Sequence, residues 1–160
     1  MKNLGLFCLL LVCVGFEGCK NDQNQKDIEA KKAQDEKPVS TACYKSLYES
    51  DTIDLTITTL KNGKITGNMI MKIKDMPKKV GTIDGEFRGD TLFADYFFIE
   101  GTNEKAKFKN PMAFLKKGDS LNLGSGTIET YLGKSYFAKG TPIEFEKVKY
   151  KFNTVDCAAK

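Results

Sequence analysis

The sequence predicts an all-β fold, a single antiparallel meander that closes into a small barrel of about eight to nine strands. Three observations support this prediction. Apolar and polar residues alternate through much of the chain after residue 43, turn residues recur about every 8–12 positions, and no convincing helical period is present there. Short strands separated by such turns are typical of sandwiches and barrels.

The first strands have the clearest pattern. Apolar residues alternate with polar ones at 53–58, and Asn62-Gly63 then supplies a strong hairpin signal. The alternation repeats at 65–73 and at 83–88, where Gly67 and Gly85 take apolar positions, as glycines do where a small barrel bends. Gly89-Asp90 turns the chain into a strand at 91–99. Further strands are expected near 106–115, 120–128, 130–138 and 143–152.

Residues 1–18 have the pattern of a secretory signal peptide. Lys2 is followed by an unbroken apolar run from Leu4 to Phe16 and by the small residue Gly18, after which the composition turns polar. The run is too short for a transmembrane helix, which needs about 20 apolar residues. A buried core helix is the alternative, and the position at the extreme N-terminus disfavours it.

Cys19 stands where this leader ends, and the arrangement resembles the lipid-attachment site of bacterial lipoproteins, in which the cysteine follows a Leu and two small residues. Gly18 matches that pattern, whereas Phe16 and Glu17 depart from it. The resemblance implies cleavage before Cys19 and acylation of its thiol, with simple secretion as the alternative. Anchoring of this kind is stable when more than one acyl chain is attached.

The residues after Cys19 imply a destination and a spacer. Lys20 replaces the Asp that retains Gram-negative lipoproteins in the inner membrane, so the resemblance implies delivery to the outer membrane, with its periplasmic and surface-exposed faces both left open. Residues 19–42 contain only two β-branched aliphatics, Ile28 and Val39, and no aromatic residue. This composition predicts a disordered, charged tether. The folded domain is expected over residues 43–160.

The five cysteines divide into three groups. Cys8 and Cys13 belong to the leader, and Cys19 is assigned to lipid. Cys43 and Cys157 remain, near the two ends of the domain, and an isolated pair in an oxidising envelope compartment is usually a disulfide. Redox catalysis is the alternative, but the chain has no C-x-x-C motif. We therefore expect this pair to stabilise the domain.

The composition argues against several function classes. The chain has no histidine, which removes the commonest general base and the usual zinc ligands. Arg88 is the only arginine, although Lys and Arg number 25 against 21 Asp and Glu, and arginine is the residue best suited to phosphate and base recognition. We expect no catalytic residue, metal, cofactor or nucleic-acid partner. Carboxylates such as Asp84 and Glu86 leave a hydrolase as an alternative, although their alternation with apolar residues favours a solvated strand face.

The segment 92–99 departs from the simple alternation, because it is apolar on both faces. Its even-numbered residues can fill a core, and Phe93, Asp95, Phe97 and Ile99 then form a second stripe interrupted by one carboxylate. One interpretation is a central strand whose outer side is covered by a long loop. The other is an exposed aromatic patch that binds a partner.

Taken with the leader, the domain resembles the small β-barrel lipoproteins of Gram-negative envelopes, of a calycin or lipocalin-like type, although the tryptophan that many lipocalins have near the first strand is missing. The resemblance implies a membrane-anchored, non-catalytic domain that binds a small apolar ligand or an envelope protein. An eight-stranded barrel either is filled by its side chains or holds one small ligand. A filled structural or enzyme-inhibitor module and a carboxylate-based hydrolase are the alternatives.

Overall fold

The computed structural model describes residues 31–32 and 34–157, and ten strands lie within them. The strands are β1 (Pro38–Tyr48), β2 (Asp51–Leu60), β3 (Lys64–Lys72), β4 (Lys79–Arg88), β5 (Thr91–Glu100), β6 (Lys107–Lys117), β7 (Ser120–Leu123), β8 (Ile128–Tyr131), β9 (Lys134–Phe137) and β10 (Lys151–Val155). Eight of them form a closed barrel in the order β1-β10-β7-β6-β5-β4-β3-β2, and β8 and β9 form a separate two-stranded sheet. The prediction of an all-β fold with a barrel of about eight to nine strands is confirmed.

Two features concern the N-terminal part of the chain. Cys19 and the predicted signal peptide lie outside the described residues. The first strand starts at Pro38, inside the segment whose composition predicts a tether. In the described part of the chain, no helix is long and apolar enough to cross a membrane.

The hairpins predicted from turn residues are present. Gly63 takes a left-handed backbone with φ of 79°, and its N–H donates to the carbonyl of Leu60 at 2.9 Å, which joins β2 to β3. Gly89 and Asp90 connect β4 to β5, whose closing residues Arg88 and Thr91 face each other. These two turns fix the register of β2 against β3 and of β4 against β5, because a hairpin's register follows from the type and length of its turn.

Inward-facing side chains fill the barrel. Every even-numbered residue of β5 from Leu92 to Phe98 is buried, as predicted. The rings of Tyr96 and Phe98 stack with centroids 4.7 Å apart, and those of Phe114 and Phe152 meet edge to face at 5.7 Å. The Tyr96 hydroxyl donates to the carbonyl of Met69 at 3.0 Å, so the one polar group of that ring is satisfied, and burial raises its pKa.

Gly67 lies inside the barrel where no side chain would fit. A Cβ there would overlap the carbonyl oxygen of Thr56 on the neighbouring strand. The same holds for Gly85, where a Cβ would overlap the carbonyl of Phe93 on β5. Close backbone approach of this kind allows strands to coil tightly, as a small barrel requires.

The chain after residue 120 differs from the sequence prediction. The strand expected at 120–128 ends at Leu123, the strand expected at 130–138 is replaced by the β8–β9 hairpin, and the strand expected at 143–152 is reduced to β10. Residues 124–150 instead make an excursion outside the barrel. Gly124 permits it, because a Cβ there would lie 2.5 Å from the ring of Phe145, which packs onto the end of β7. The Asn122 side-chain amide also donates to the carbonyl of Phe145 at 2.9 Å.

The barrel closes where β1 meets β10. This seam is short, since the two strands face each other only from Cys43, opposite Val155, to Lys45, opposite Asn153. A disulfide between Cys43 and Cys157 lies beside the seam, with Cα atoms 5.2 Å apart. The predicted pairing of these two cysteines is therefore present, and it joins the first barrel strand to the chain just after the last one.

We predict that replacing both cysteines, Cys43→Ser with Cys157→Ser, lowers the free energy of unfolding by about 4–5 kcal/mol. In the chain-entropy model this is the effect of opening a loop that spans 114 positions. Urea denaturation followed by circular dichroism measures the change, and the wild-type protein treated with a reductant is the control and should match the variant. An unchanged urea midpoint would contradict the prediction, and would show that the hydrogen bonds between β1 and β10 and the burial of Phe152 hold the seam closed without the disulfide.

Candidate functional site

The predicted stripe on β5 lies on the outer face of the barrel, and the structure divides it in two. Phe93 and Asp95 line a groove, whereas Phe97 lies outside it and is 40% exposed. Ile99 is also outside the groove, opposite Lys107 of β6. The stripe is therefore neither wholly covered nor wholly exposed, and its binding of a partner stays a prediction.

The groove has a volume of about 860 Å³ and crosses the outer surface of strands β3 to β6. Two rows of outward-facing residues cross this surface, each row containing one residue from each of the four strands, and all of their members except Ala113 line the groove. The first row, called the Lys64 row, consists of Lys64, Glu86, Phe93 and Ala113. The second, called the Thr66 row, consists of Thr66, Asp84, Asp95 and Pro111. Because neighbouring strands lie about 4.8 Å apart, each row is about 14 Å long.

The other wall of the groove is strand β9. All four of its residues, Lys134 to Phe137, line the groove, and β9 lies against β6. The outward-facing Ala113 of β6 is fully buried although it is not in the barrel interior. The excursion at 124–150 therefore covers part of the outer face of β6. The groove lies between the edge of that cover and the open face of β5.

The hairpin itself is held by a small apolar cluster outside the barrel. A Cβ at Gly126 would lie 3.0 Å from the ring of Phe137 and 3.2 Å from Ile143, so the glycine lets the excursion pack closely on itself. Backbone bonds in both directions between Ser125 and Glu144 fasten its base. Phe137 thus contributes to this cluster and to the groove wall at the same time.

The charges around the groove are partly paired. Asp95 accepts an ion pair from Lys109 at 2.8 Å, and Glu86 accepts one from Arg88 at 2.7 Å. The Arg88 guanidinium also lies 5.3 Å from the centre of the Phe93 ring. These pairs are exposed and contribute little to stability, but they hold the long side chains in place along the rim.

The carboxylates of the groove bear on the hydrolase alternative. Asp84 and Asp95 face each other on adjacent strands, so both lie on the same wall. The facing strand β9 has the sequence Lys-Ser-Tyr-Phe and supplies no carboxylate. In the described part of the chain no group of three or more Asp, Glu, His or Cys side chains could hold a metal ion. The groove offers apolar area, backbone groups and scattered charge, with its carboxylates on one wall.

A second cluster of charged residues, which sequence reasoning missed, lies away from the groove. The carboxylate of Asp51, at the start of β2, is 4% exposed and accepts hydrogen bonds from the Tyr150 hydroxyl and the Lys74 backbone N–H, both at 2.8 Å. It also forms an ion pair with Lys149 at 2.8 Å. These bonds tie the segment before β10 to the opposite side of the closure seam. The cluster is structural. No local sequence pattern predicts it, because Asp51 is far along the chain from Lys74, Lys149 and Tyr150.

Hydrogen bonding sets the titration of this cluster. The bond from Lys149, followed by those from the Lys74 N–H and Tyr150, lowers the pKa of Asp51 to about 2. The same contact raises the pKa of Lys149. Burial, followed by the bond to Asp51, raises the pKa of the Tyr150 hydroxyl.

No protein family, curated protein or solved structure matches this chain. What it does must therefore be argued from its own residues.

We predict a specific acid dependence for Asp51→Asn. The folded-state pKa of Asp51 lies below its ordinary value of 3.8, so its ionised form stabilises the fold at pH values above about 4, and this contribution disappears as the pH falls towards 2. The melting temperature of the variant should lie below that of the wild type at pH 6, and the two should converge between pH 4 and 2. Thermal denaturation across that range measures the difference. Asp54→Asn is the control, because Asp54 makes only an exposed ion pair with Lys45. A difference in melting temperature that stays constant from pH 6 to pH 2 would contradict a stabilising role for the ionised Asp51 carboxylate.

Proposed function

We propose that this protein is a lipid-anchored envelope lipoprotein whose β-barrel is a non-catalytic scaffold for binding a protein partner in the groove. The observation on which this proposal depends is the groove of about 860 Å³, with apolar residues on both of its walls and charges along its rim. Apolar sites with a few placed polar groups are the usual form of binding sites in proteins.

The filled interior supports an outer binding site over an inner one. Tyr96, Phe114 and Phe152 are fully buried, and they occupy the space that a small apolar ligand would need. A barrel of eight strands is just wide enough for such side chains to fill it. The small-ligand carrier is therefore the weaker candidate, and a filled barrel that acts as a binding or inhibitor module is the stronger one.

Membrane anchoring in this proposal depends on the sequence alone. Cys19 follows an apolar leader, and the polar segment after it provides a spacer between a lipid and the barrel. Lys20 supports delivery to the outer membrane over retention in the inner one. The absence of histidine supports a role without acid–base catalysis.

We expect palmitate labelling to depend on Cys19. Cells that produce the wild-type protein should incorporate labelled palmitate into it, and Cys19→Ala should abolish the label because the acceptor thiol is gone. Cys13→Ala is the matched control, since that cysteine lies in the leader and should be removed with it. Wild-type protein that is released from membranes by salt alone would contradict the anchor.

We expect a photoreactive side chain at Tyr136 to form a discrete adduct with another envelope protein in intact cells. The same group at Phe97, which is exposed on the same face but outside the groove, should form none. Phe93→Ser in the Tyr136 variant should weaken the adduct about tenfold or more, because it removes a large apolar contact from the groove. The measurement is the adduct band and its mass.

Phe97→Ser is the matched control, since it replaces the same residue type on the outer face of the same strand. If both substitutions weaken the adduct equally, the groove is not the binding site. Native mass spectrometry of the purified protein gives the second check, and a lipid or metabolite retained by the barrel would overturn the proposal in favour of a carrier.

A further inference from the structure

The β8–β9 hairpin presents an unpaired strand edge. Its turn, Leu132-Gly133, has two residues, both with positive φ, of 49° and 73°. This is the type I′ geometry, in which the flanking residues Tyr131 and Lys134 exchange backbone hydrogen bonds. Antiparallel pairs then alternate, so that Thr130 and Ser135 form a pair without mutual backbone bonds.

The backbone groups of Ser135 and Phe137 therefore face away from β8. Both residues line the groove. Outside the strand ladders, none of the backbone hydrogen bonds found among residues 34–157 involves either of them. An unpaired edge of this kind offers alternating N–H and C=O groups, which match another extended chain and little else.

The dimensions of the groove also suit an extended segment. From its first to its fourth Cα atom β9 spans about 10 Å, and the opposite wall, the Lys64 and Thr66 rows, spans about 14 Å. An extended segment of about three or four residues therefore fits beside β9. Side chains of an added strand would point alternately towards the barrel surface and away from it. Those pointing inward would meet Phe93 and Pro111.

The charge left over in the groove suits an acidic segment. Arg88 and Lys109 are already paired with Glu86 and Asp95. Among residues 34–157, neither Lys64 nor Lys134 has a carboxylate partner within ion-pair distance, and the remaining groove carboxylate is Asp84. Two free cations against one carboxylate favour a ligand with net negative charge.

We infer that the partner binds as an extended, acidic polypeptide segment that adds to the edge of β9 as a third strand. The inference rests on the proposed function, since it specifies how the groove holds its partner. Edge-to-edge pairing of two copies is less favourable, because the β9 edge of each copy lies inside its own groove, which can admit a separate extended segment more easily than a second folded barrel.

The experiment uses the lipidated full-length protein in nanodiscs and a displayed library of random nine-residue peptides. Peptides are retained if they bind the wild type and not Phe93→Ser. We expect these peptides to be enriched in acidic residues and depleted in proline, because each strand position must donate or accept a backbone bond.

Two matched variants test the strand pairing itself. Ser135→Pro removes an N–H that faces the groove and leaves the β8–β9 ladder intact, since that N–H is not bonded to β8. Thr130→Pro removes the corresponding N–H on the opposite edge of the hairpin, the edge of β8. Both variants also lose the hydrogen bond between the Thr130 and Ser135 hydroxyls, which are 3.0 Å apart, so this loss is matched. Ser135→Pro should weaken binding of a selected peptide about tenfold, and Thr130→Pro should change it by less than about twofold.

Hydrogen exchange gives the direct readout. When a selected peptide binds, the amides of Ser135 and Phe137 should become protected, whereas those of Lys134 and Tyr136, already bonded to β8, should change little. If no peptide depends on Phe93, the groove is not a binding site and the proposed function fails as well. If peptides depend on Phe93 but the two proline variants act alike and Ser135 stays unprotected, only strand addition is wrong. If the protein dimerises without any peptide and Ser135→Pro dissociates that dimer, the segment that pairs with β9 comes from a second copy of this chain and the inference of a separate partner is wrong.

Discussion

Closure of the barrel at the seam between β1 and β10 is the constraint on which the rest of the structure depends. β10 is five residues long and pairs at only three positions with each neighbour. Phe152, the second residue of β10, is fully buried against Phe114, and the disulfide holds the chain just beyond the strand. Without this closure the inward side chains would face water, and the outer rows that form the groove would lose their alignment.

The same closure explains why the groove lies outside the barrel. Large rings on β5, β6 and β10 occupy the interior, so little space remains for a ligand there. The chain between β7 and β10 is not needed to complete the sheet, and it folds over the outer face of β6 instead. A flat barrel wall thereby becomes one side of a groove, and β9 becomes the other. In this fold the packed core holds the barrel strands in place, and residues 124–150 form the second wall of the groove.

The sequence predicted the parts of the fold that local rules control. The alternation at 53–58 and 83–88, the apolar segment 91–99 and the turns at Gly63 and Gly89 predicted strands and core residues. The cysteine pair was predicted from the number and positions of the five cysteines. The excursion could not be predicted, because Gly124 and Phe145 are brought together only by tertiary packing. Residues 143–146 and 147–150 each keep a strand-like alternation of burial, with a break between Glu146 and Lys147, while making almost no ladder. The stripe at Phe93 and Asp95 was visible in the sequence, but its facing wall, β9, comes from a segment about forty residues further along, where the sequence predicted a single strand instead of a hairpin.

The position of the disulfide has a mechanical consequence. If the protein is held by its N-terminus and by a partner in the groove, as proposed, a pulling load enters the barrel through β1. That load acts along the strand, nearly perpendicular to the hydrogen bonds that join β1 to β2 from Tyr48 back to Pro38. The ladder is therefore sheared as a unit instead of being opened one bond at a time. Cys43, midway along β1, passes the remaining force to the far end of the chain through a covalent bond, so the barrel resists extension at the point where its own pairing is shortest.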